Sequence, residues 1–297
     1  MTRFISLCLL ALVLPSFLCV SCKEADVILL PTPASFQCGR GHFEFTADTV
    51  IYVEDEQQRQ AADWFAWLFA KPAGFVPKIS GNKKKADVIL HRDESLGKEA
   101  YRIEVRRRRI FIEASSQPGF FYALQTLRFV LPSAISSNRC VPQEKWLVPT
   151  MKVEDAPGFR HRCLRLDVSE NYVPVANILS FIDCMAMLKL NHLHIIMDFG
   201  ALYSRQDHEQ IIDFAAENHV AITPESGCLK DMYVFPDDTA SKLFPEIAAL
   251  SEVAWTAEDI ADVMHFNHAV EHLKEHLRYK GLGGSEVIYN IAVAALK

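Results

Sequence analysis

Residues 162–198, RCLRLDVSENYVPVANILSFIDCMAMLKLNHLHIIMD, carry the pattern that decides the fold. Cys163 to Val168 is a short β-prone run with an acid, Asp167, near its end. After the Pro174 breaker, Ile178, Leu179, Ile182, Met185 and Ala186 recur at the spacing of an amphipathic helix. Leu193 to Met197 is a continuous apolar run closed by Asp198, as expected of a strand covered on both faces. Beyond it, Ser204 to Asp207 caps a second helix with Ile211, Ile212, Phe214 and Ala215 as its apolar stripe, and Val220 to Glu225 reads as a third strand ending in an acid. Strands alternating with helices of this length imply βα units and a parallel sheet. In barrels of such units the C-terminal strand ends carry the chemistry, which places Asp167, Asp198 and Glu225 on one functional rim.

These residues resemble the opening of the catalytic domain of glycoside hydrolase family 20, the β-N-acetylhexosaminidases. The resemblance runs through Pro157 to Arg162, Leu166 to Ser169 and Lys189 to His194. Upstream, Tyr101 to Val105 followed by Ala114 to Leu131 is similar to the small α/β domain that precedes that barrel, and Leu243 to Trp255 is similar to the family's last barrel helix. The fold class expected is therefore α/β: an incomplete (β/α) TIM-type barrel, with strands resembling the first three and the eighth, preceded by a small α+β domain.

The resemblance implies a substrate-assisted, retaining hydrolysis in which the 2-acetamido oxygen of the sugar is the nucleophile, an Asp orients that amide and the adjacent Glu is the general acid. The Asp-Glu pair normally follows the fourth strand in a Gly-Gly-Asp-Glu-like motif, and no such pair follows a strand here. Glu225 closes what resembles the third strand, yet Ser226 to Tyr233 already looks like the eighth. A complete barrel takes about 250 residues, and Thr150 to Gly281 is about half that. Kept segments also depart from the family pattern: Ile196 stands where a second His is expected, Glu170 where an Arg is expected, Cys163 where a Gly is expected, and Lys230 and Met232 in place of a Trp and a Glu. Catalytic residues are therefore expected to be absent. Arg162, His194 and Asp198 are the substrate-binding residues that the resemblance leaves, with Tyr172 as an aromatic neighbour. Gly283 to Glu286 resembles the catalytic motif with Ser for Asp, but it follows the final helix and is expected to be no more than the exit from the barrel.

The expected function is a β-N-acetylhexosaminidase-like glycosidase addressed to terminal N-acetylhexosamine of glycans and inactive as it stands; the alternative is a glycan-binding surface lipoprotein that does not cut. No cofactor and no metal are expected. Residues 1–21 read as a bacterial secretory signal, with Arg3 ahead of an apolar core from Phe4 to Leu14 that is too short for a membrane span. Leu18 to Cys22 approximates a lipobox, so Cys22 is the expected lipid anchor and the periplasm or outer membrane the expected compartment. Cys38, Cys140, Cys163, Cys184 and Cys228 then remain, an odd number that argues for free thiols.

Residues 25–147 are expected to form the first domain, with strands at Asp26 to Leu30, Thr49 to Val53 and Asp87 to His91 and helices at Glu56 to Ala70 and Phe120 to Leu131. Val141 to Ala156 reads as a linker, residues 150–281 as the partial barrel and 282–297 as a tail. The net charge of −6 gives no footprint for nucleic acid, and Arg106 to Arg109 reads as a solvated hairpin turn. His265, His268, His272 and His276 share one helical face, expected to be the solvated one, without the further ligands of a zinc site. An opened barrel would leave strand edges unpaired. The half after Thr150 is thus expected to be marginal and self-associating, and residues 25–147 to fold without it.

Overall fold

The computed structural model describes residues 27–169, 172–197, 202–223, 240–256 and 262–280. Seven strands, β1 (Ser35–Glu44), β2 (Val50–Tyr52), β3 (Lys78–Ser80), β4 (Val88–Arg92), β5 (Tyr101–Arg106), β6 (Arg109–Ala114) and β7 (Leu147–Asp155), form one mixed sheet in the order β1-β7-β5-β6-β4-β2-β3. The β1, β7, β5 and β6 pairings are antiparallel, and β6, β4, β2 and β3 run parallel. Strict alternation of buried and half-exposed residues in β5 gives the sheet one packed face. Two helices cover it, α1 (Glu56–Trp67) and α2 (Gln117–Val130). Asp55 caps α1 by accepting from the Gln58 amide. α2 is apolar nearly all round, as a helix wedged between a sheet and a second layer must be.

That second layer is built from β8 (Cys163–Val168), α3 (Val175–Met187), β9 (His192–Met197), α4 (Arg205–Glu217) and β10 (Ala221–Thr223). The three strands are parallel, in the order β10-β9-β8, and each pair is joined by a helix, as the periodicity of residues 162–223 predicts. A capping box between Ser204 and Asp207 fixes the start of α4. Two further helices, α5 (Ala240–Trp255) and α6 (Val263–Tyr279), follow.

Three expectations are corrected, two in the first unit and one in β8. Val27 to Leu30 is not a strand: Thr32 N donates to Glu252 on α5, and the Leu29 carbonyl is engaged by His265 on α6, so this segment runs along those helices before β1 begins. Most of the supposed linker is β7, which pairs with both β1 and β5. Its alternation breaks at Thr150 and Met151, which are both buried, and its inward positions include the polar Thr150 and Asp155. Finally, Cys163 is disulfide-bonded rather than free, while Cys38, Cys140 and Cys184 are free. Burial pushes the Cys184 thiol up to about 12.

The histidine face of α6 is packed rather than solvated. His272 and His276 both point Nε2 at the Phe129 carbonyl, at 2.8 and 3.3 Å, and His276 Nδ1 lies 2.9 Å from Ser136 Oγ. The last carbonyls of α2 lack intrahelical donors, and these rings supply them. A carbonyl only accepts, so Nε2 of the neutral His276 ring carries the proton and Nδ1 accepts from Ser136. Phe266, Leu273 and Leu277 cover the other side of α6, leaving His268 exposed.

The two layers share one continuous core. At their junction Lys189 Nζ donates to Asp155 Oδ2 (2.8 Å) and to Tyr101 Oη (2.7 Å), while Trp255 Nε1 donates to the same carboxylate oxygen (2.9 Å). A second tie joins Arg128 of α2 to Asp183 of α3 through two hydrogen bonds of 2.7 and 2.9 Å, and Lys280 pairs with the same carboxylate. Desolvation lowers the Lys189 ammonium, partly opposed by Asp155, and raises the Tyr101 hydroxyl well above its usual range. The first sheet's last strand thus ends inside the junction between the layers.

Candidate functional site

The C-terminal ends of β8 and β9 are where side chains can meet a ligand. Asp167 sits at the end of β8, with Oδ1 accepting from Ser169 N (3.1 Å) and Ser169 Oγ (2.7 Å). This local turn fixes the carboxylate. Tyr172 follows, 57% exposed, with its ring 5.4 Å from that of Tyr203. Tyr203 is itself anchored, accepting from Val173 N at 2.8 Å and donating to Val173 O at 3.0 Å. An exposed aromatic backed by a fixed one is a platform on which the apolar face of a sugar ring can stack.

His194 lies in β9, opposite Arg165 of β8 and Thr223 of β10. Its position in the strand puts it on the face opposite Leu193, which is the face shared by Arg165 and Asp167. It is 4% exposed, yet neither ring nitrogen has a hydrogen-bond partner among the described residues. A buried, unpartnered polar group costs about 1–3 kcal/mol. A ligand hydroxyl or amide would recover that cost.

Arg162 is elsewhere. It precedes β8, at the N-terminal end of the strand, and its side chain is fully buried. Nε donates to Lys189 O (2.7 Å), Nη1 to Glu99 Oε2 (2.9 Å) and Phe159 O (2.7 Å), and Nη2 to Tyr122 Oη (3.2 Å). The guanidinium also lies over the rings of Trp255 and Tyr122. Every nitrogen is thus bound to protein, and the expected sugar contact is corrected to a tie between layers. Its neighbour Asn191 completes the knot, accepting from Arg162 N (2.9 Å) and donating to Arg160 O (2.9 Å). Asp198, Glu225, Glu170, Lys230, Met232, Glu286 and Cys22 lie outside the described residues.

Nothing local in the sequence marks Asp155, Glu99, Lys189 or Trp255 as junction residues. Their contacts join residues 34 to 100 positions apart, and Lys189, with φ +59, reads locally as nothing more than a helix-terminating residue. Burial of a charged side chain is invisible to periodicity.

Comparison with known proteins agrees with the fold. The profile of glycosyl hydrolase family 20, domain 2, matches residues 26–156, and the profile of the same family's catalytic domain matches residues 159–198. A β-hexosaminidase of Vibrio furnissii is 29% identical over 195 residues, covering 65% of this chain and 30% of its own length. A β-N-acetylhexosaminidase of Cellulomonas fimi is 30% identical over 183 residues, covering 59% and 36%. Among solved structures, the family 20 β-N-acetylhexosaminidase of Streptomyces coelicolor superimposes with a TM-score of 0.59 at 28% identity, over 66% of this chain and 45% of that one. That of Streptomyces plicatus shares the fold with a TM-score of 0.61 over 90% of this chain. The chain belongs to glycoside hydrolase family 20. It spans about a third of the length of the curated relatives it matches.

Proposed function

We propose that this chain keeps the sugar-facing frame of a β-N-acetylhexosaminidase, addressed to terminal N-acetylhexosamine of glycans, on an incomplete barrel behind its small α+β unit, and that it does not hydrolyse them. The observation that carries this is His194: a buried imidazole with no hydrogen-bond partner among the described residues, on the strand face shared with Asp167. Absence of hydrolysis is supported by the sequence, in which no Asp-Glu pair follows β8, β9 or β10, and by the catalytic-domain profile, which matches only through residue 198. A second reading, a glycan-binding surface lipoprotein, is favoured by Tyr172, whose exposed ring is set for stacking rather than for acid–base work. Both readings place the chain beyond the inner membrane of a bacterium, with Cys22 as the acylated residue. Calorimetric titration with N-acetylglucosamine, alongside an aryl glycoside assay, tests them: binding without turnover is expected, and a chain that does neither contradicts both. Mass analysis of the N-terminal peptide tests Cys22.

A further inference from the structure

Strand register brings two separate basic runs of the sequence to one end of the seven-stranded sheet. A row of paired residues crosses it from Cys38 through Met151, Val105, Ile110 and Val88 to Ile51. Immediately beyond that row stand Arg40 in a bulge of β1, Arg106 to Arg109 at the β5–β6 turn, and Lys83 to Lys85 in the 3₁₀ turn leading into β4. All are exposed. Arg107 lies across the bulge, donating from Nε to Arg40 O (3.2 Å). The bulge needs Gly41, whose φ is +110 and where a Cβ would stand 2.5 Å from Arg107 Nε.

Several carboxylates close to this edge are engaged, while Glu44, beyond the bulge on β1, is exposed. Asp48 pairs with Lys78, Glu104 with Arg106 and Lys152, and Asp87 Oδ2 accepts from Val50 N. Among the described residues no carboxylate pairs with Arg40, Arg107, Arg108, Arg109, Lys83, Lys84 or Lys85. A chain of net charge −6 thus carries an unneutralised cationic edge.

A second observation concerns where the chain enters. Val27 and Ile28 line a cavity of about 280 Å³ together with His42, Leu147 and Pro149, and His42 follows the bulge directly. The described chain therefore starts at the basic end of the sheet, and the stretch back to Cys22 spans at most roughly 18 Å. The Lys189–Asp155–Tyr101 junction lies at the opposite end of the sheet, whereas His272 of α6 lines the same cavity as Val27 and Ile28.

We propose that this edge docks on the anionic phospholipid headgroups of the bilayer that holds the Cys22 acyl chain, with the Lys189–Asp155 junction at the end of the sheet away from the membrane. The proposal rests on the lipid-anchor reading above, and its test does not. The full chain carrying Cys22→Ser, which cannot be acylated there, is mixed with phosphatidylglycerol–phosphatidylethanolamine vesicles and, separately, with phosphatidylcholine vesicles, and sedimented. Preference for the anionic vesicles, falling with salt, is expected. Lys84→Gln/Lys85→Gln/Arg108→Gln, all at exposed positions, should lower that partitioning about fivefold per residue, on the order of a hundredfold together. Equal partitioning to both vesicle types overturns the proposal, as does an unchanged preference in the triple variant with native circular dichroism. Retention on heparin without any preference for anionic vesicles would assign the edge to a soluble polyanion and also overturn it. Failure of acylation at Cys22, read separately by mass, would remove the anchor and leave the vesicle result standing.

Discussion

Lys189 Nζ lies 2.8 Å from Asp155 Oδ2, with the two side chains 2% and 1% exposed. Asp155 closes the last strand of the first sheet, and Lys189 follows the helix between β8 and β9, so this pair is the point where the layers are joined. Its partners are unequal. Asp155 also accepts from Tyr101 Oη, Trp255 Nε1, Ala34 N and Ala156 N, whereas among the described residues Lys189 Nζ has one further hydrogen bond, to Tyr101 Oη, and lies over the Trp255 ring.

The two substitutions therefore differ. Asp155→Ala strands a buried ammonium and several donors and should cost about 3–5 kcal/mol. Lys189→Met leaves the carboxylate four donors and should cost less. Urea unfolding followed by tryptophan fluorescence measures both; an equal or larger loss for Lys189→Met would refute the inequality.

Arg162→Lys keeps the charge and loses the planar fork that reaches Lys189 O, Glu99, Phe159 O and Tyr122 together. A loss of about 2–4 kcal/mol is expected. Thermal unfolding of the wild type should show one transition for both layers. A variant with unchanged stability and weakened sugar binding would return Arg162 to the sugar site.

How much of this was legible in the sequence follows from the range of each interaction. The β8 to β10 unit is written in local periodicity, and Ser204 with Asp207 announced its helix start. β7 was missed because strand pairing, not propensity, makes it a strand. The α6 histidines were misplaced because a helical wheel shows which residues share a face but not which face is covered; Phe129 O and Ser136, far off in sequence, decide that. Arg162 was assigned to sugar because the resemblance marks the residue without showing which end of β8 it occupies.

Acid should loosen the α6 contact. Burial holds the His276 imidazole well below its usual range, with His272 and Arg128 adding to the effect, and it lowers His219 to about 4. Both therefore bind protons more weakly folded than unfolded. Stability is complete above about pH 6.5 and is lost as pH falls from there through the folded values, by up to about 1.4 kcal/mol per pH unit for each ring. His276→Gln should flatten part of that slope. A slope identical in wild type and variant between pH 6.5 and 4.5 would show that His276 does not contribute.

His194→Leu separates stability from recognition. Replacing an unpartnered buried ring by an apolar side chain should raise stability by about 1 kcal/mol or leave it unchanged, while N-acetylglucosamine binding is lost. Loss of stability with binding intact would mean that the ring is a satisfied core residue.

The most direct measurement is release of the aryl group from an aryl N-acetyl-β-glucosaminide by the purified chain. Loss of a general acid forfeits about 10² to 10⁴-fold in rate, and loss of the amide-orienting group removes more, so release at the rate of the buffer blank is expected even though the sugar binds. Turnover that follows the chain through purification and disappears on Asp167→Asn would contradict it and place a working catalytic acid in this chain.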